Sequence, residues 1–168
     1  HEAVTLILQT LGVEYCAVFE LHPDGKTLRL RAGIGWQDGD VGCVTVGAGT
    51  HSPAGYTLLC NEALIVEDFR AETRFCIPPL LRDHGVVSGA SVIIYGLDRP
   101  FGTLGAYTTR RRRFGADDVH FLQAIANVLG TALERKEAEE ALAAEATFLR
   151  AQTAVAQAAM STLDPHLL

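Results

Sequence analysis

The chain has 168 residues, 48% of them hydrophobic and 20% charged, and its 14 basic against 20 acidic side chains leave a formal net charge of −6. That is apolar material for one ordinary domain with a further helix or two, and it argues against a basic nucleic-acid-binding domain and against intrinsic disorder. No apolar run approaches the roughly 18 to 20 residues that span a bilayer, and no basic-then-apolar signal pattern opens the chain, so the expectation is a cytoplasmic protein without nucleic-acid or direct membrane contact.

Helix-forming chemistry begins at once with Glu2, Ala3, Val4 and Leu6 and no capping residue ahead of them, so residues 1–11 read as a truncated N-terminal helix. Val13, Tyr15, Ala17, Phe19 and Leu21 then alternate with other residues, the period of a strand. Residues 22–26 are a turn by composition, and beyond them Leu28, Leu30 and Ala32 alternate with Arg29 and Arg31. The two strands predict a hairpin in which Glu20 lies opposite Arg29.

Residues 41–46 predict a short strand and residues 47–50 a Gly-rich loop. Ser52 and Pro53 read as N-cap and first helical residue of a short helix that ends at a left-handed Asn61. Residues 64–66 predict a short buried strand, residues 69–77 an aromatic and polar loop, and residues 78–84 a helix stopped at Gly85. A second hairpin follows over residues 86–95 and 101–109, where Gly89, Gly102 and Gly105 mark close approach of a neighbouring element or a ligand.

Arg110, Arg111, Arg112 and Arg113 read as a solvated turn before a helix capped at Gly115, with Phe114 and Val119 as its staple. From Ala116 to about Ala159 only Gly130 weakens that helix, giving a length of about 65 Å. Leu122, Ile125, Leu129 and Ala132 follow a 3-4 spacing and predict the interface of a homodimer. Residues 134–140 are polar all round, and the apolar stripe resumes at Leu142 and Leu149.

The order strand, strand, helix, strand, helix, strand, strand, long helix resembles a GAF domain, and so does the wording. Residues 47–58 (GAGTHSPAGYTL) are similar to the stretch into the middle helix of bacterial GAF sensors, and residues 64–69 (LIVEDF) to the strand after it. Residues 78–94 (PPLLRDHGVVSGASVII) and 101–107 (FGTLGAY) resemble segments of GAF domains in sensor histidine kinases and cyclic-di-GMP enzymes. The resemblance implies an α+β fold: an antiparallel, PAS-like sheet of five or six strands, terminal helices on one face, and loops and short helices enclosing a pocket on the other. It also implies dimerisation through the terminal helices. Residues 12–133 would be the sensor domain, 134–150 a helical signalling connector, and 151–168 the start of a following domain, similar to the first helix of a second GAF domain.

Few residues carry the pattern of a catalytic or cofactor site. The cysteines at 16, 43, 60 and 76 form no C-x-x-C pair and read chiefly as buried, reduced thiols. His51 has no second ligand at metal-like spacing, so no metal site is expected. The Gly-rich loop lacks the spacing of a P-loop. Relative to bilin-binding relatives, Pro78 stands where the tethering Cys would be, with Cys76 two residues earlier. Relative to haem-binding ones, Leu80 and Leu81 stand near the ligating His, and His84, one turn on, reads as a surface or capping residue. Covalent bilin and haem are therefore not expected, and the cofactor is unknown. No catalytic residue is expected. The candidates to line a small-molecule pocket are Trp36, Tyr56, Phe69, Phe75, Cys76, Ser91 and Tyr107. The functional expectation is a sensory GAF module, chiefly of a sensor histidine kinase. A ligand-free dimerisation spacer, a module regulating a diguanylate cyclase or phosphodiesterase, and a redox sensor using Cys60 and Cys76 are the alternatives.

Overall fold

The computed structural model describes residues 2–162, which fall into two compact units divided between Thr131 and Ala132. In the first unit the elements run α1 (Glu2–Leu11), β1 (Tyr15–Leu21), β2 (Thr27–Ile34), β3 (Thr45–Gly47), α2 (Pro53–Cys60), β4 (Leu64–Val66), α3 (Pro79–Asp83), β5 (Ser88–Tyr95) and β6 (Pro100–Thr108), and α4 (Ala116–Thr162) starts there. The six strands form one antiparallel sheet in the order β3-β2-β1-β6-β5-β4. Of the segment read as a following domain, residues 163–168 lie outside the described residues.

The first hairpin forms as its charges dictate. Glu20 pairs with Arg29 in register, and its carboxylate accepts from Arg29 at 3.0 Å and from Arg31 at 2.9 Å. Between Val18 and Phe19 the register slips, because Val18 faces Ala32 and Phe19 faces Leu30, leaving Arg31 as the extra residue of a bulge. One residue of slip turns a side chain to the other face. Ala32 therefore shares a face with Val18, not with Leu28 and Leu30 as the alternation predicted. The strand expected over 41–46 is also shorter. Residues 38–43 turn instead, held by the Asp40 carbonyl, which accepts from the amides of Cys43 and Val44 at 3.1 and 2.9 Å.

The caps formed as read. The Ser52 hydroxyl accepts from the Gly55 amide at 2.9 Å at the start of α2, and Asn61 closes it at φ 54°. At the start of α4 the Asp118 carboxylate reaches back to the Gly115 amide at 2.9 Å, the reciprocal half of a capping box. In the arginine run Arg110, Arg111 and Arg113 are exposed, as read, and Arg112 is half-buried. Arg110 pairs with Glu14 at 3.6 Å and Arg111 with Glu67 at 3.2 Å. Arg112 donates to the Leu11 carbonyl and to Asp118, and stacks 4.7 Å from the Phe114 ring centroid. One guanidinium thus fastens the end of α1 to the start of α4.

Both faces of the sheet are covered, so β5 is buried at every position but its last. Cys16, Val18, Val92, Ile94, Leu104 and Ala106 share one face by register, and α1 and α4 pack there. Gln123 donates to the Ile93 carbonyl at 3.0 Å, and Gly130 passes so close to β5 that a Cβ would strike the Tyr95 carbonyl. Leu122, Ala126 and Gly130 are the buried stripe of α4. This corrects the predicted interface in one residue: Leu122, 0% exposed, is spent on the sheet of its own chain and is not available to a partner. Ile125 and Leu129 are half-buried, and Ala132 is exposed. In the second unit α4 continues alone to Thr162. No helix among the described residues is long and apolar enough to cross a membrane.

Candidate functional site

The face of the sheet opposite the terminal helices carries an aromatic core whose geometry starts from two glycines. On the inner face of β5 and β6, Gly89 and Gly105 leave a trough, and the Tyr107 ring lies in it, because a Cβ at either glycine would overlap that ring. Gly102, the third glycine of the hairpin, instead meets the Phe19 carbonyl of β1. The predicted close approach is thus of neighbouring chain at all three positions.

Around Tyr107 the rings are in contact one after another. Tyr56 lies 5.3 Å from Phe75, Phe75 6.3 Å from Phe69, Phe69 6.2 Å from Tyr107, and Tyr107 6.1 Å from Trp36, measured between centroids. These spacings and tilts suit aromatic packing. All five aromatic candidates from the sequence belong to this one cluster, with Leu28, Leu30, Leu64, Leu81 and Val86 around them. They meet each other as core. Ser91 is buried on the same strand face, directly across from Gly105, and Cys76 is exposed, its amide donating to the Thr50 carbonyl at 2.8 Å.

Three hydroxyls on this face, those of Ser91, Thr103 and Tyr107, are buried and make no hydrogen bond among the described residues. Burial, with the nearby Cys16 thiol, pushes the Tyr107 phenol above its ordinary range, so it stays protonated. Burial likewise pushes the Cys16 thiol up to about 12, which removes it as a nucleophile. The other three cysteines are not buried, contrary to expectation. Cys43 sits in the loop before β3, Cys60 ends α2, and Cys76 precedes α3, all at exposed positions. A hydrogen bond with the Cys60 thiol, one helical turn away, raises the Tyr56 phenol, and the Cys60 charge adds to it.

The sequence missed the other end of the ring chain. Trp36 packs 4.9 Å from Tyr15 and edge-on to His84 at 5.1 Å, and its indole N–H donates to the Cys16 carbonyl at 2.9 Å. His84 does cap α3, as read, yet its side chain is only 9% exposed, because Trp36 and Tyr15 cover it. No sequence spacing links residues 15, 36 and 84, which the topology alone brings together. Among the described residues no three His, Cys, Asp or Glu side chains gather in a way that could hold a metal ion. At the position relevant to bilin, Pro78 caps α3 and carries no nucleophile.

At the edge strand β4, Arg74 donates to the Ile65 carbonyl at 3.1 Å while forking onto Glu72 at 2.7 and 2.9 Å. It stands 5.8 Å from the Tyr56 ring centroid. The hydrogen bond from Arg74 holds the Glu72 carboxyl down at about 2, well under its ordinary 4.5. A depressed carboxyl stabilises the fold above its unfolded value and loses that contribution as pH falls through the folded one. Amide protection in the β4–β5 pairing is therefore expected to decline from about pH 4.5 towards about 2, and Arg74→Ala to move the Glu72 titration, followed by NMR, back towards 4.5.

A family model for the GAF domain matches residues 1–133. The chain therefore belongs to the GAF domain family, a family of regulatory and sensory domains. Solved structures share the fold. The GAF domain of a phosphoenolpyruvate-protein phosphotransferase from Coxiella burnetii is 17% identical, with a TM-score of 0.73 over 82% of this chain and 82% of that one. A domain assigned to a two-component sensor histidine kinase of Sinorhizobium meliloti is 20% identical, with a TM-score of 0.64 over 83% and 92%. The type II free methionine-R-sulfoxide reductase of Thermoplasma acidophilum is 17% identical, with a TM-score of 0.62 over 77% and 86%. No curated protein matches the chain.

Proposed function

We propose that this GAF domain is the sensory and relay module of a cytoplasmic sensor histidine kinase, and that it works as a homodimer whose paired α4 helices carry its state onward. The observation that carries this reading is the surface of α4 in the second unit. There Leu142 is 66%, Leu149 53% and Met160 75% exposed. With Ala146, Thr153 and Ala156 between them they repeat at 4-3-4-3-4, the seam of a two-stranded coiled coil. A single helix exposing such a seam gains stability by burying it against a second copy. Residues 134–150 act as the connector.

What the domain senses is either a small molecule or the conformation of a neighbouring part. The contact chain from Tyr56 to Trp36 favours the second, because the rings expected to line a pocket pack on each other. In either case the input works by preferring one of two helix pairings. Sedimentation, native mass spectrometry and an absorption spectrum of the purified chain test both parts. The expected result is a dimer without retained mass or colour. A monomer at micromolar concentration overturns the relay, and a reproducible bound mass overturns the conformational reading in favour of a ligand.

A further inference from the structure

His84 is held from both sides by acceptors. Its Nδ1 lies 2.8 Å from the Leu80 carbonyl, and its Nε2 lies 3.6 Å from the Asp40 carboxylate. Neutral imidazole has one N–H. If that proton bonds Leu80, a lone pair on Nε2 faces a carboxylate oxygen, and Nε2 has no hydrogen-bond partner, as found. Only the imidazolium offers an N–H to each acceptor. The Asp40 oxygen that faces Nε2 also accepts from the Gln37 amide at 3.0 Å, so the carboxylate is tied to its own turn, the turn that carries Trp36.

We propose that His84 and Asp40 form a pH-operated strap that fastens the loop between β2 and β3 onto the end of α3. At 3.6 Å the pair is within ion-pair reach but longer than a charge-assisted hydrogen bond of about 2.8 Å, so protonation closes it. Other groups around the ring do not compete. From β1, the Tyr15 ring stands at 79° to the imidazole, and its hydroxyl donates to the His84 carbonyl at 3.3 Å. From the loop come Trp36 and Asp40. On α3 itself Arg82 and Asp83 are exposed and face each other at 3.7 Å. Because Trp36 is the terminal link between this cluster and Tyr107, closing the strap seals one end of the aromatic core and opening it loosens that end. The strap goes beyond the relay reading and does not depend on it.

Trp36 is the sole tryptophan, so the chain carries its own reporter 5.1 Å from the histidine. On acidification from about pH 8 to about pH 5.5, Trp36 emission is expected to be quenched and its accessibility to acrylamide to fall. His84→Gln is expected to lose both changes. Asp40→Asn is expected to keep the direct quench by imidazolium and lose the change in accessibility. Accessibility that is constant with pH in the native chain, or that falls equally in Asp40→Asn, overturns the strap. Should His84→Gln fail to fold, Asp40→Asn decides alone. The strap's failure leaves the dimer measurement untouched, and the reverse holds as well.

Discussion

Gly105→Ala is expected to destabilise the domain by about 1–3 kcal/mol, and to lose most of that effect when Tyr107 is alanine as well. The atoms nearest the added Cβ would be the hydroxyl, Cζ and Cε2 of Tyr107, all of one side chain. Removing that side chain on its own leaves a cavity in the core and costs about 3–5 kcal/mol. The two losses therefore share a cause and do not add, which a double-mutant cycle in urea reads directly. Gly102→Ala is the control. Its Cβ would meet the carbonyl oxygen and carbon of Phe19, which is backbone, so its cost is expected to be the same with Tyr107 or with alanine there. Tyr107→Phe is expected to leave stability unchanged or raise it, since the hydroxyl it removes is buried without a partner. Equal costs of Gly105→Ala in both backgrounds would show that the trough does not exist to seat the ring.

That trough also shows where sequence reading stops. Gly89 and Gly105 signalled a close approach, and Tyr107 stood out as an aromatic residue, but nothing in the spacing said that the second fills the space left by the first. Strand identity and the pairing of Glu20 with Arg29 were legible, because period two and a compositional turn are local signals. The bulge at Arg31 was not. A one-residue slip leaves the alternation of Leu28, Leu30 and Ala32 intact in the sequence while sending Ala32 to the other face. The caps at Ser52 and Asn61 were legible from residue type. The cluster of Tyr15, Trp36, Asp40 and His84 was not, since its members come from β1, the loop after β2 and the end of α3, and meet only once the sheet is assembled. The five aromatic residues read as pocket candidates lie in one cluster, where they pack on one another.

The same limit explains Leu122. Two stripes pass through this residue at helical spacing. One continues through Ile125, Leu129 and Ala132, and the other through Ala126 and Gly130. Hydrophobicity favours the first, yet the sheet takes the second, because small residues let α4 lie against the backbone of β5. Leu122→Ala is therefore expected to cost about 2–5 kcal/mol of stability and to leave association of the folded fraction unchanged. The double substitution Leu142→Glu with Leu149→Glu is expected to do the opposite. It places two charges on the exposed seam of each helix, so sedimentation should show monomers, while urea unfolding of the sheet domain followed at Trp36 keeps its midpoint at a concentration where both chains are monomeric. If Leu122→Ala dissociates a dimer without weakening the fold, the inward stripe is misassigned. If the double glutamate chain still dimerises, the copies meet through some face other than this seam.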